Sequence, residues 1–434
     1  MGMAARISDS RLNWLVPALS CFLCLLPILL FWNRFRTLFW FHDDWQLISE
    51  MQNVGVLRWT VEPFGESFNP LFKAFWAAAV ALVHGSYFGM IWVLWGTHLA
   101  ILFLFAALLR RSGFAWAAVS LAVLTLGMPW SNIETLGWAT QWSSLLATFF
   151  FLLAWLFVLF GESEGSSKWL ALFAGASALA SALSLSRGVL SGALVAFVAL
   201  GESRSHGSVS RRRLPVAIFL ASITVGALFG YHWMLRDFRN FQGLNGEKLT
   251  AMVSYSAHYL LLNPLFHFLP VPHKAVGLPE LAIAGTCKVL IVAAGFALSQ
   301  GRQRTLLWTL LLFDLGTAVL LGMGRYHLGI ETAVSYRYQY VSLLCFAPFL
   351  ATVAVKGLQW FTAPTARSVA FALLFVGWGA VLGYPWARHS ERWAQWRGTD
   401  VRNALAATPP DQRFGLPTIT AGRARELVKI YNLH

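Results

Sequence analysis

The sequence predicts an all-α, polytopic membrane protein of about eleven spanning helices, and three observations carry that prediction. Of its 434 residues, 57% are hydrophobic and only 12% charged, with a mean hydropathy of +0.59. A soluble domain carries about a quarter charged residues. Apolar runs long enough to cross a bilayer recur from one end of the chain to the other. Compact basic clusters fall in alternate connections, the pattern that holds loops in the cytoplasm.

The first span is expected over Leu12–Trp32, "LNWLVPALSCFLCLLPILLFW". No small-residue cleavage site follows it, so it is expected to be retained rather than removed as a signal peptide. Pro70–Val83 is apolar but short, and carries Lys73 near its start. It reads as an amphipathic interfacial or re-entrant helix outside the membrane. Ten further spans are expected at Phe88–Leu109, Phe114–Met128, Ser143–Phe160, Lys168–Leu185, Gly188–Leu200, Leu214–Met234, Glu280–Gln300, Thr305–Met323, Tyr338–Val355 and Arg367–Tyr384.

With a cytoplasmic N-terminus, the inner loops hold "RRSG" (Arg110, Arg111), "GESEGSSK", "GESRSHGSVSRRRL" (Arg204, Arg211, Arg212, Arg213), "GRQR" (Arg302, Arg304) and "KGLQWFTAPTAR". Counting Pro70–Val83 as a span would put "RRSG" outside and invert every later loop, so the charge pattern favours an odd number of spans. The long connections at 33–87, 129–142, 235–279 and 324–337 then share the outer face with the C-terminal end. The expected layout is a transmembrane unit over 1–384, its first external loop at 33–87, and an external tail over 385–434.

The net charge of +14 fits the same topology, with anionic lipid or phosphate as a second partner for the basic residues. No nucleic-acid motif is present, and nucleic acid is not an expected partner. The four cysteines, Cys21, Cys24, Cys287 and Cys345, lie in or at the edge of apolar runs. Cys21 and Cys24 form a C-x-x-C without a second pair, which reads as a thiol face rather than a zinc or redox site.

Several polar residues need a reason. Lys288 and Asp314 sit within successive antiparallel spans, both at roughly 12–14 Å from the outer end by helical rise. A lone charge there is costly, so they are expected to form a structural ion pair; the sharper alternative is a transporter's coupling site. Arg187 interrupts "SALSLSRGVLSGAL" at an outer junction. It reads either as a bend that snorkels to the interface or as a donor to a lipid-linked phosphate. Arg325 and Arg337 flank "GRYHLGIETAVSYRYQY" with Tyr326, His327 and Tyr338. Outer cations run against the charge bias, and phosphate binding explains them, as would pairing with Glu331 or lipid headgroups. His273 and Lys274 in "VPHK" are of the same kind. Glu134 lies among Trp130, Trp138 and Trp142, either in an interfacial aromatic belt or in a platform for a sugar or prenyl chain.

The first outer loop opens with "FWFHDDWQLISE", which places His42, Asp43 and Asp44 side by side. Group transfer to a hydroxyl needs a base, and stabilisation of the phosphate that leaves. An external aspartate with external arginines supplies both. In extended backbone the two aspartates point to opposite sides, so one faces substrate while the other orients a neighbour or binds a cation. The chain has no Walker motif and no Gly-rich dinucleotide fingerprint.

At these residues the chain resembles the GT-C superfamily of membrane glycosyltransferases, which use polyprenyl-phosphate-linked sugars. Three segments carry the resemblance: "HDDW"; the Pro-Leu helix of "FNPLFKAFWAAAVALVHGSYFG", leading into a span with His98; and "MPWSNIETLGWATQWSSLLATFFFLLA", which is similar to a segment of protein O-mannosyltransferases. "LSRGVL" is a weaker echo. The resemblance implies that Asp43 or Asp44 is the catalytic base, that Glu134 lies near it, and that basic residues hold the donor phosphate at the outer leaflet. Where that family carries Arg before the Pro-Leu helix, Arg in the third segment and His before its Pro, this chain has Asn69, Gln141 and Met128. Arg187, Arg325 and Arg337 stand in as its own phosphate-binding set, with His42 and Tyr338 beside the substrate.

The function expected is therefore transfer of a sugar from a polyprenyl phosphate to a glycan, lipid or protein acceptor on the external face of a bacterial inner membrane. No cofactor is required by the resemblance; Mg2+ or Mn2+ held by Asp43 and Asp44, with His42, is the alternative. The rival functions are a lipid-linked glycan polymerase or ligase and a transporter or flippase.

Overall fold

The computed structural model describes residues 15–65, 67–160, 167–204, 213–234, 245–268, 276–414 and 416–434. Among them the chain is helical apart from a two-stranded hairpin. The N-terminal third holds α1 (residues 15–23), α2 (Leu26–Leu30), α3 (Trp32–Arg36), α4 (Asp43–Val54), α5 (Val56–Val61), α6 (Pro70–Leu82), α7 (Tyr87–Arg111), α8 (Trp116–Gly127), α9 (Ile133–Leu136) and α10 (Trp142–Phe160). Next come α11 (Ser167–Ala182), α12 (Leu190–Arg204), α13 (Arg213–Met234), α14 (Gly246–Leu262), α15 (Leu278–Leu298), α16 (Gly301–Arg325), α17 (Tyr336–Gly357) and α18 (Pro364–Gly383). The C-terminal part comprises α19 (Trp386–Ala394), a π turn (Gln395–Thr399), α20 (Asp400–Ala407), β1 (Arg413–Phe414), β2 (Leu416–Thr420) and α21 (Ala421–Tyr431).

Among the described residues seven helices are long and apolar enough to span, or eight if α8 and the segment Trp130–Leu136, bent by 50°, count as one. That differs from the eleven expected from sequence, for two physical reasons. The first run is not one helix: α1 ends at a turn, and Pro27, which lacks an N–H, opens a separate α2. Residues 12–14 of that expected span lie outside the described residues. The segments at 168–182 and 186–201 are apolar but short. At 1.5 Å per residue they reach about 24 Å against a hydrocarbon core of about 30 Å.

The chain is nonetheless an integral membrane protein. Val225 and Phe229 on α13, Val289 and Leu290 on α15, and Leu373 and Val376 on α18 are all exposed. Apolar faces of that extent are stable against lipid, not water. The inner faces pack as pairs: α7 on α10, α10 on α11, α8 on α17, α12 on α13, α14 on α16 and α15 on α17.

Two parts of the chain are more ordered than their sequence suggests. The connection 235–279 contains α14, an amphipathic helix whose Met252, Tyr255, Tyr259 and Leu262 are buried at helical spacing. Its polar face keeps it below the hydropathy of a span. The segment after 384 is not a free tail. Phe39 N–H donates to Arg397 O at 3.1 Å, and Tyr87 N–H to His434 O at 2.8 Å. Tyr431 OH donates to Gln52 Oε1 at 2.6 Å, and Trp386 Nε1 to Met128 O at 2.7 Å. Trp386 is fully buried against Phe35 and Trp95. Burying such a side chain contributes about 2–3 kcal/mol. The end of the chain is thereby fastened to the loop that carries Asp43.

Candidate active site

The site begins at a bend. His42 has φ of +48° and occupies the N-cap of α4 without capping it. A non-glycine residue in that region is strained. The turn makes Asp43 and Asp44 the first two residues of α4, so they are not in extended backbone as the sequence reading assumes. They diverge by about 100° around the helix rather than by a strand's half-turn. Both sit in the first turn, where the helix dipole favours acidic side chains.

Their environments differ sharply. Asp44 is 0% exposed. Its Oδ1 accepts from Thr140 N–H at 3.1 Å and from Thr140 Oγ1 at 2.6 Å. Its Oδ2 accepts from Phe41 N–H at 3.3 Å and Tyr87 OH at 3.4 Å. Burial pushes its pKa up to about 7; the bonds from Thr140 and Phe41 pull it down, and the charge of Asp43 adds to the rise. Asp44 thus ties α4 to the segment before α10 and is closed to ligands. Asp43 is half-buried and lines a cavity, and no hydrogen bond to its carboxylate is present among the described residues. Burial raises its pKa, while Arg337, His42, Arg325 and Arg397, in that order, oppose the rise.

The cavity has a volume of about 600 Å³. Arg187, Arg325, Arg337 and Tyr338 line it with Asp43, so five of the sequence-derived site residues share one space. Its polar wall continues through Gln46, Ser67, Asn69, Gln141, Ser143 and Ser144, and its apolar wall through Leu185, Val189, Leu228, Leu320, Leu321 and Met323. Arg187 is 6% exposed, and its Nη2 donates to Ser144 O at 3.0 Å and to Ser144 Oγ. Arg337 lies over the ring of Tyr338 with its guanidinium 5.1 Å from the centroid. Three guanidinium groups against one carboxylate leave an excess of positive charge on the wall, which suits an anion.

The remaining expected residues fall elsewhere. Glu134 is outside the cavity lining; its Oε2 accepts from the backbone N–H of Arg337 at 3.1 Å and so positions the arginine. His42 packs its ring near Phe41 and Trp138 rather than lining the cavity. Burial, then Arg397, lowers its pKa, leaving a neutral imidazole. Of the two aspartates proposed to share a cation, only Asp43 faces the cavity. Both Asp44 oxygens are occupied by donors, and among the described residues no three His, Cys, Asp or Glu side chains converge. His273 and Lys274 lie outside the described residues, as do Arg211, Arg212 and the loop 161–166.

Lys288 Nζ and Asp314 Oδ2 meet at 2.8 Å. The ammonium also donates to Leu260 O at 2.6 Å and Asn263 O at 2.7 Å, and Tyr259 OH donates to Asp314 Oδ1 at 3.1 Å. Three acceptors for three donors leave the lysine no capacity for a transported ligand.

Sequence reasoning missed Arg397. It sits in the π turn, buried, with its guanidinium over four rings: Trp396 at 3.4 Å, Phe41 at 4.3 Å, Trp393 at 5.2 Å and Trp138 at 5.9 Å. The signal was present in "WARHSERWAQWRG", where aromatics flank an arginine, but only the folded tail carries it to the HDDW turn.

No family model and no curated protein matches the sequence. Solved structures do. The chain is similar to the oligosaccharyltransferase of Archaeoglobus fulgidus in its apo form, at 13% identity over 97% of this chain and 60% of that one, with a TM-score of 0.51. It is also similar to that archaeal oligosaccharyltransferase, AglB, in complex with an inhibitory peptide and a dolichol-phosphate, at 15% identity over 98% of this chain and 60% of that one, with a TM-score of 0.51. The chain spans about 60% of the length of those proteins. The likeness is one of fold: nearly the whole of this chain folds like part of those solved structures.

Proposed function

We propose that the chain is a membrane glycosyltransferase that moves a sugar from a polyprenyl-phosphate donor to an acceptor hydroxyl. Asp43 is the base. Arg187, Arg325 and Arg337, with Tyr338, receive the phosphate. The single observation that supports this most is the cavity: one open carboxylate and three guanidinium groups on the wall of a space with an apolar side.

The reaction follows from those groups. The acceptor oxygen attacks the anomeric carbon as Asp43 takes its proton. The bond from that carbon to the phosphate oxygen breaks, and the electron pair leaves on the phosphate. Fixed guanidinium groups stabilise that charge as it develops, and they stabilise it more strongly away from water. One base and one in-line displacement invert the anomeric centre. Asp44 and Glu134 act by holding α4 and Arg337 in place. The solved relative containing a dolichol-phosphate supports a lipid-linked donor for this fold. In this reading the site opens on the external face, with the N-terminus cytoplasmic.

A transport reading is less well supported, because Lys288 and Asp314 are saturated by each other and by their neighbours. The test is direct. Native membranes containing the chain, given undecaprenyl phosphate bearing a radiolabelled hexose, should release free undecaprenyl phosphate in step with labelled acceptor. Donor that binds but stays intact, or that crosses the bilayer unchanged, contradicts the proposal.

A further inference from the structure

Four residues that line the cavity carry a buried polar side-chain atom with no hydrogen-bond partner among the described residues: Asn69 Oδ1, Arg187 Nε, Thr317 Oγ1 and Arg337 Nε. Buried polar atoms are nearly always paired, so four around one space call for a common partner. Two are cationic donors and fit phosphate oxygens. Of the two neutral groups, the Thr317 hydroxyl can donate to phosphate as well, whereas Asn69 Oδ1 accepts only and cannot.

Asn69 is the more informative of the neutral pair. It occupies the N-cap of α6, a position where asparagine normally accepts a bond from the helix's first turn. Here its side chain makes no such cap, although Pro70 follows directly. It is instead 3% exposed on the cavity wall, in the same loop system as Asp43, with Gln46, Ser67 and Gln141 also on that wall. A carboxamide offers one acceptor and one donor end, and a hydroxyl satisfies either. A carboxylate satisfies only the donor end and meets the oxygen with repulsion.

We propose that Asn69 is a specificity-determining residue that binds a hydroxyl of the transferred sugar, and that the donor sugar is neutral at that position. This rests on the proposed glycosyl transfer and assigns the part of the site that reads the sugar, as distinct from the arginines that read the phosphate.

The experiment compares binding of undecaprenyl phosphate and of undecaprenyl-phosphate hexose, with its four mono-deoxy forms, to the full chain and to Asn69→Leu in detergent. Leucine keeps the volume and removes both polar ends. The substitution should weaken the hexose-bearing lipid about tenfold, the scale of one lost buried hydrogen bond, and leave undecaprenyl phosphate unchanged. That second lipid also reports that the variant is folded. In the parent one deoxy form should bind about tenfold more weakly than the hexose, and in Asn69→Leu that difference should vanish, as a coupled pair requires. Equal discrimination among the deoxy forms by both proteins overturns the assignment while leaving glycosyl transfer standing. Failure of the parent to bind either lipid overturns both.

Discussion

At the scale of the residue, two adjacent aspartates have been given different work by a 100° step of helix. Asp44 spends both oxygens on Thr140, Phe41 and Tyr87, whereas Asp43 faces the cavity. The sequence makes the pair visible but not its division, because that depends on the positive φ at His42 and on Thr140, 96 positions away. The two carboxylates should therefore titrate into different measurements. As the proposed base, Asp43 would have to be ionised for transfer, and burial raises its pKa, so activity should fall on the acid side at a higher pH than an ordinary carboxylate would dictate. Arg337 is the strongest opposing charge. Arg337→Gln should move the acid limb of the pH–rate profile to still higher pH; a limb that stays put would separate Arg337 from Asp43. Asp44 should register in stability instead. Its pKa rises from 3.8 to about 7 on folding, so the folded state holds that proton more tightly. Its contribution is full below about 4 and is lost as pH climbs through about 7. Thermal unfolding in detergent should show that decline between those values, and Asp44→Asn should flatten it.

The element scale shows which helices a linear reading captures. The long spans announce themselves: expected Phe88–Leu109 and Tyr338–Val355 correspond to α7 and α17. Short or amphipathic helices do not, since α14 is held by Tyr255, Tyr259 and Leu262 packing on neighbours rather than by its own apolarity. The same is true of the C-terminal elements, whose attachment is written in single contacts. A Cβ at Gly398 would run into the carbonyl of Thr37, beside the turn that presents Arg397. Gly398→Ala should cost about 2–4 kcal/mol by the mechanism of overpacking against rigid backbone. Gly226→Ala, in α13 with open space around it, should be neutral or gain about 0.5–1 kcal/mol from helix propensity. Equal melting temperatures for the two variants would mean that the tail is not fastened there. The pair joining α15 and α16 makes a second test. Lys288→Met alone strands Asp314 in a buried site and should destabilise by about 3–5 kcal/mol, whereas adding Asp314→Leu should restore most of it. A double variant as unstable as the single one would contradict the structural role.

Over the whole molecule, composition and the recurrence of apolar runs made the membrane fold legible, and the cations expected on the outer face made part of the site legible. Assembly was not legible. The cavity draws Asp43 from α4, Asn69 from the loop before α6, Arg187 from the junction before α12, Arg325 from the end of α16 and Arg337 from the start of α17. No spacing rule links residues so far apart, and only packing of the long helices brings them to one wall. The arrival of Arg397 at the HDDW turn was hidden for the same reason. Neutral groups such as Asn69 carry no charge signal against the membrane background, so their part in the site shows through unpaired buried atoms in the fold.

The central claim is that Asp43 removes the acceptor's proton in this cavity. It is tested most directly by single-turnover transfer from labelled undecaprenyl-phosphate hexose with purified Asp43→Asn, alongside donor binding by the same protein. The account predicts a rate about 10²–10⁴-fold below the parent, the usual contribution of a positioned base, with donor binding intact. A folded Asp43→Asn protein that transfers at the parental rate would contradict it.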